Sequence, residues 1–251
     1  MTVNHDVVGS SPTAGVLIKE HPKRVFFFVI DKNRRCNQMK KTKILFDLDG
    51  TIIEPSQGIF QSVNYAMEKM NRIKLSNETL KTFVGPPLEE SFVSLGMSLK
   101  EAKEAISYYR VFYRETGIYL FIAYEGIEEV LTTLSKNNQL YLATSKPELF
   151  AKVILESLNY SQYFTGIYGA NLEGTRSKKA DVIRHAFKES NIVERNQVVM
   201  IGDRKHDIIG AVENNIESIG VLYGFGDKEE LQTAGATKIA ASVKDLLVIL
   251  S

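Results

Sequence analysis

The chain has one cysteine, Cys36, in 251 residues, so it can form no intrachain disulfide. Such sparing use fits a reducing compartment, and a cytoplasmic location is expected. It also lacks a charge imbalance. Thirty-one Lys and Arg meet thirty Asp and Glu, and a net charge of +1 points to neither nucleic acid nor an anionic membrane as partner. No apolar run reaches the roughly 20 residues that cross a bilayer. Internal repeats and low-complexity tracts are absent too. Apolar residues make up 44% of the chain, ample for a core.

The first 38 residues differ in character from the rest of the chain. They mix Gly-Ser-Ser-Pro with scattered charges and one short apolar run, Val25 to Ile30. Asp31-Lys32-Asn33-Arg34-Arg35 comes after that run, where a signal peptide would place small residues. Residues 1–38 are therefore expected to be an extension outside the fold, with Met39 as the working initiator. Deleting them should leave activity and melting temperature nearly unchanged.

The chain is organised around Ile44-Leu45-Phe46-Asp47-Leu48-Asp49-Gly50-Thr51. The apolar lead reads as a short buried strand. Asp47 and Asp49 stand two apart, so an extended backbone sends both carboxylates to one side. Such a pair is costly without a positive partner, and hard oxygen ligands favour Mg²⁺. Asp-Gly between apolar runs is equally a hairpin signal, so turn and site both fit.

Between residues 58 and 117 the pattern is helical. Helices are expected over 58–70, from Asn77 to before Gly85, over 88–95 and over 98–116. From Glu125 onward strands and helices alternate, with strands near 140–144, 166–169, 198–201, 218–222 and 238–239. The expected fold is α/β: a Rossmann-like parallel sheet from residues 39–57 and 125–251, with an all-helical cap, 58–124, inserted. Ligands of such sheets bind at the carboxyl ends of the strands.

Three more stretches fall at strand ends. Thr144-Ser145-Lys146-Pro147 offers a hydroxyl before a helix, suited to a phosphate oxygen or to ordinary capping. Lys178 and Lys179 open a helix against its dipole; a substrate phosphate would partner a lysine there, and a solvated lysine fits the stretch taken alone. Met200-Ile201-Gly202-Asp203 delivers a carboxylate to a strand end, and Asp207 stands four residues on, in the first helical turn.

In order, these four stretches resemble the four motifs of the haloacid dehalogenase-like (HAD) hydrolase superfamily. The 156 positions from Asp47 to Asp203 leave room for the inserted cap. Phe83-Val84-Gly85-Pro86-Pro87-Leu88 and Gly220 to Gly226 make the chain similar to phosphoglycolate phosphatase-like members. The resemblance implies an aspartyl-phosphate mechanism, with Asp47 as nucleophile and Asp49 as general acid, then base. It implies Mg²⁺ held by Asp47, the backbone carbonyl of Asp49, Asp203 and Asp207, the last directly or through water. Thr144 and Lys179 would bind the phosphoryl oxygens. Ser145 departs from the Asn common at that place in the family.

The implied enzyme is a phosphoric monoester hydrolase acting on a small phosphorylated metabolite, as a monomer or homodimer. Phosphoglycolate is the suggested substrate; a 5'-nucleotidase or a sugar phosphomutase is the alternative. Asp49 argues against dehalogenation, which needs no acid there. Tyr108, Tyr109, Phe112 and Tyr113 are expected to pack inside the cap, and Arg110 and Arg114 to face solvent. The Gly85-Pro86-Pro87 turn is the expected substrate contact.

Overall fold

In the computed structural model the described residues are 41–251. The expected extension, 1–38, lies outside them. The chain enters through β1 (Lys43–Phe46), which pairs in parallel with two later strands, β4 (Gln139–Pro147) and β6 (Val198–Gly202). With β5 (Phe164–Ala170), β7 (Glu217–Val221) and β8 (Lys238–Ala240) they form a six-stranded parallel sheet, ordered β5-β4-β1-β6-β7-β8. The Rossmann-like α/β expectation is met. β1 is central because its neighbours cover both edges, so its carboxyl end lies where the strand order changes direction.

The sheet is buried on both faces, as a continuous apolar run requires. Ile44 and Phe46 join one hydrophobic cluster and Leu45, between them, joins the other. The covering helices are α5 (Ile127–Ser135), α6 (Glu148–Ser157), α7 (Lys179–Glu189), α8 (Lys205–Glu213), α9 (Lys228–Thr233) and α10 (Asp245–Leu250).

Four helices are inserted between the two short strands β2 (Ile53–Glu54) and β3 (Ile122–Ala123), which pair antiparallel. They are α1 (Ser56–Lys69), α2 (Asn77–Lys81), α3 (Leu88–Ser94) and α4 (Leu99–Glu115). Side chains at the ends explain two of their starts. The Ser76 hydroxyl accepts the Thr79 N–H, and Ser98 and Glu101 make a reciprocal capping box. The β2–β3 pair leaves no mark in the sequence. Two residues per strand carry no periodicity to read, and only the pairing defines them.

Candidate active site

The site is built at the carboxyl ends of β1, β4 and β6. After Phe46 the Asp47 N–H still bonds to the Ile201 carbonyl at 2.9 Å, which fixes Asp47 beside β6. The chain then turns at Gly50, whose φ of +80° suits glycine. A Cβ there would also stand 2.1 Å from Asp203 Oδ2, so the turn and β6 can approach this closely only without one.

Asp47, Asp203 and Asp207 converge. Each offers a carboxylate oxygen, and these atoms all lie within 4.8 Å of one another, buried. Lys179, the first residue of α7, reaches the same point. Its Nζ lies 2.7 Å from Asp47 Oδ1 and 2.8 Å from Asp207 Oδ1, and it donates to the Ala143 carbonyl at 2.8 Å. The lysine placed against its helix dipole is thus paired with two carboxylates of the chain itself. Lys178 makes none of these contacts.

Asp49 goes elsewhere. Its Oδ2 accepts from Lys146 Nζ at 2.6 Å, so its carboxylate is not one of the three. The two acids of the first stretch therefore have a lysine each. Lys146 is the site residue that sequence reasoning misses, because nothing local signals a partner 97 positions away. Thr144 is buried, and its hydroxyl accepts the Lys146 N–H at 3.2 Å.

Four buried carboxylates face two ammonium groups, which leaves two negative charges uncompensated when all are ionised. Asp203 shows the consequence. Its Oδ2 accepts the Phe225 N–H at 2.9 Å, but buried Oδ1 has no partner. Burial, then the charges of Asp207 and Asp47, raise its carboxyl well above the usual range. Burial likewise pushes Asp207 up to about 6, against the pull of Lys179. Burial also raises Asp49, with Lys146 opposing. Clustered oxygens, a double charge deficit and an orphaned acceptor suit a hard divalent cation.

Above the carboxylates is a cavity of about 370 Å³ between the sheet ends and the inserted helices. Asp47, Asp49, Thr144 and Lys146 line its floor, and Gly85, Pro86 and Pro87 line its wall, where a substrate contact is expected. Tyr109 and Tyr113 are packed in the core as expected, and they also form wall. One expectation needs correction. Arg110 is half-buried in that wall and donates to the Leu172 carbonyl at 3.1 Å, whereas Arg114 is exposed as expected. Helical spacing puts Arg110 and Arg114 on one face of α4, but one turn along the helix carries that face from cavity to solvent.

The haloacid dehalogenase-like hydrolase family profile matches residues 44–221. The chain belongs to this family. A 5'-nucleotidase of Pseudomonas aeruginosa is 38% identical over 214 residues, 84% of this chain and 96% of that one. A phosphoglycolate phosphatase of Colwellia psychrerythraea is 27% identical, over 84% of this chain and 97% of its own. A crystal structure described as a predicted phosphatase from Clostridium acetobutylicum superposes with a TM-score of 0.81 at 42% identity, over 84% of this chain and 99% of that one. This HAD-family chain is thus a phosphatase, as the four stretches implied. Among the described residues no helix is long and apolar enough to cross a membrane.

Proposed function

We propose that the protein hydrolyses small phosphomonoesters through an aspartyl-phosphate on Asp47, with Mg²⁺ held by Asp47, Asp203, Asp207 and the Asp49 carbonyl. The observation that carries this reading is the meeting of Asp47, Asp203, Asp207 and Lys179 beneath a cavity that Asp47 and Asp49 line. When bound, the cation draws charge from the phosphoryl oxygens. The chain supplies the rest. Asp47 attacks phosphorus; as its O–P bond forms, the ester P–O bond breaks and the leaving oxygen takes a proton from Asp49. Water then attacks the same phosphorus and gives its proton to Asp49. The Asp47 O–P bond breaks, releasing inorganic phosphate and restoring Asp47 as the carboxylate and Asp49 as the protonated acid. Thr144 and Lys179 hold phosphoryl oxygens, and the inserted helices act as a cap that excludes water.

Phosphoglycolate is one substrate reading, supported by the basic Arg110 in the wall for a carboxylate. A nucleoside 5'-monophosphate is the second, supported by the apolar walls of Ile59, Phe83, Ile106 and Tyr109 and by the 38% identical nucleotidase. The test is p-nitrophenyl phosphate turnover with and without Mg²⁺, for wild type and Asp47→Asn. We expect Mg²⁺-dependent release of phosphate, lowered at least about 1,000-fold in the variant. Undiminished turnover in Asp47→Asn overturns the mechanism. Ranking phosphoglycolate against nucleoside monophosphates by kcat/KM then chooses the substrate.

A further inference from the structure

We propose that Lys146 is the positioning residue for Asp49, and that Tyr113 on the cap holds Lys146 in place. The proposal rests on the phosphatase reading above and adds to it a device tying the cap to the acid.

The chain places Lys146 without freedom. Residue 146 precedes Pro147, which restricts its backbone to extended conformations. On such a backbone Thr144 and Lys146 leave on the same side, and both line the cavity floor. The Lys146 N–H to Thr144 Oγ1 bond then fixes the turn of the chain. The side chain is only 5% exposed, and its ammonium meets two groups. One is Asp49 Oδ2 at 2.6 Å; the other is the face of the Tyr113 ring, 4.9 Å from its centroid.

Tyr113 is itself fixed. It stacks on Tyr109 at 5.4 Å with ring planes 10° apart, and its other neighbour is Phe150 of α6, also at 5.4 Å. The ring belongs to α4 in the cap, the acid to the chain after β1 in the core. Lys146 is the link between them. Pinning Oδ2 also has a consequence for the other oxygen. Asp49 Oδ1 is buried with no hydrogen-bond partner, in a residue that lines the cavity. It is the Asp49 oxygen left to carry the proton to the leaving group. A loose carboxylate would present either oxygen in many directions, and proton transfer demands a set geometry.

The alternative role for Lys146 is direct binding of the substrate's phosphoryl or other anionic group. Leaving-group dependence separates the two. p-Nitrophenolate departs without a proton, whereas an alkoxide needs one. An Asp49 that is present but unaligned therefore slows alkyl esters selectively. A lost phosphoryl contact slows both ester types alike.

The experiment compares kcat/KM for glycerol phosphate and p-nitrophenyl phosphate in wild type, Lys146→Met, Tyr113→Leu and Asp47→Asn. Lys146→Met should lose about 100-fold on glycerol phosphate and less than about fivefold on p-nitrophenyl phosphate. Tyr113→Leu should show the same bias with a smaller loss. Retained p-nitrophenyl phosphate turnover also reports that the variant is folded. Equal losses on the two esters in Lys146→Met, or a rise in KM alone, overturn the proposal. If Lys146→Met does not fold, Tyr113→Leu decides, and an unbiased loss there overturns it. Asp47→Asn tests the underlying reading separately. If it stays active, the aspartyl-phosphate mechanism falls; if it is dead while Lys146→Met is unbiased, only the positioning role falls.

Discussion

Asp203 is buried completely, carries one oxygen with no partner and lies beside two other carboxylates. Such a group is costly in the metal-free protein at any pH where it is ionised. Asp203→Asn keeps an acceptor for the Phe225 N–H and removes the charge. At pH 8 in EDTA the variant should be more stable than wild type by about 1 kcal/mol, or roughly 2–4 °C in Tm for a chain of this size. With Mg²⁺ restored, the same variant should lose about 100-fold or more in turnover. A variant that is both less stable in EDTA and fully active would show that Asp203 is merely structural. The opposed signs distinguish a cation ligand from an ordinary buried hydrogen-bonding residue.

At the scale of elements, the strands and helices are legible in the sequence because each carries a period. The apolar runs at 44–46 and 198–201 form β1 and β6, and the 58–70 and 98–116 patterns form α1 and α4. The acids at strand ends are legible for the same reason, since a parallel sheet gathers the residues at the ends of its strands. What escapes is whatever depends on a partner distant in the chain. Lys146 reads as an ordinary residue before a proline until Asp49 and Tyr113 are seen around it. Arg204 is similar: it comes directly after an expected ligand, but its contacts lie with the turn before Gly85 and with α9. Its Nη1 donates to the Val84 carbonyl and its Nε to Glu230 Oε1, both at 2.9 Å, so one side chain ties α9 and the turn before Gly85 to the start of α8. Arg204→Met should release that turn. We expect a loss of about 1–2 kcal/mol in stability and faster amide exchange confined to residues 83–88. If exchange there is unchanged while distant segments loosen, the arginine is not a local tether.

For the whole molecule, the acidic cluster sets how stability depends on pH. Asp207 is raised from an ordinary 3.8 to about 6, and Asp203 is raised well above its ordinary value, in both cases chiefly by burial. An acid whose folded pKa lies above its unfolded value binds its proton more tightly in the folded state. Its charge then costs nothing near pH 4 and most above the folded pKa. The metal-free protein should therefore lose stability as pH rises from about 4 through 6 as Asp207 ionises, and the raised Asp203 adds a loss of the same sign. A cation reverses the sign. It binds the ionised carboxylates and displaces their protons, so its affinity grows with pH. The gain in Tm on adding Mg²⁺ should thus be small at about pH 5.5 and larger at about pH 8, by at least several degrees at saturating Mg²⁺. Thermal melts at the two pH values, with EDTA and with Mg²⁺, give all four numbers. A Mg²⁺ shift that is equal at both pH values would mean that the cation does not bind through Asp203 and Asp207. A larger shift at the lower pH would mean the same.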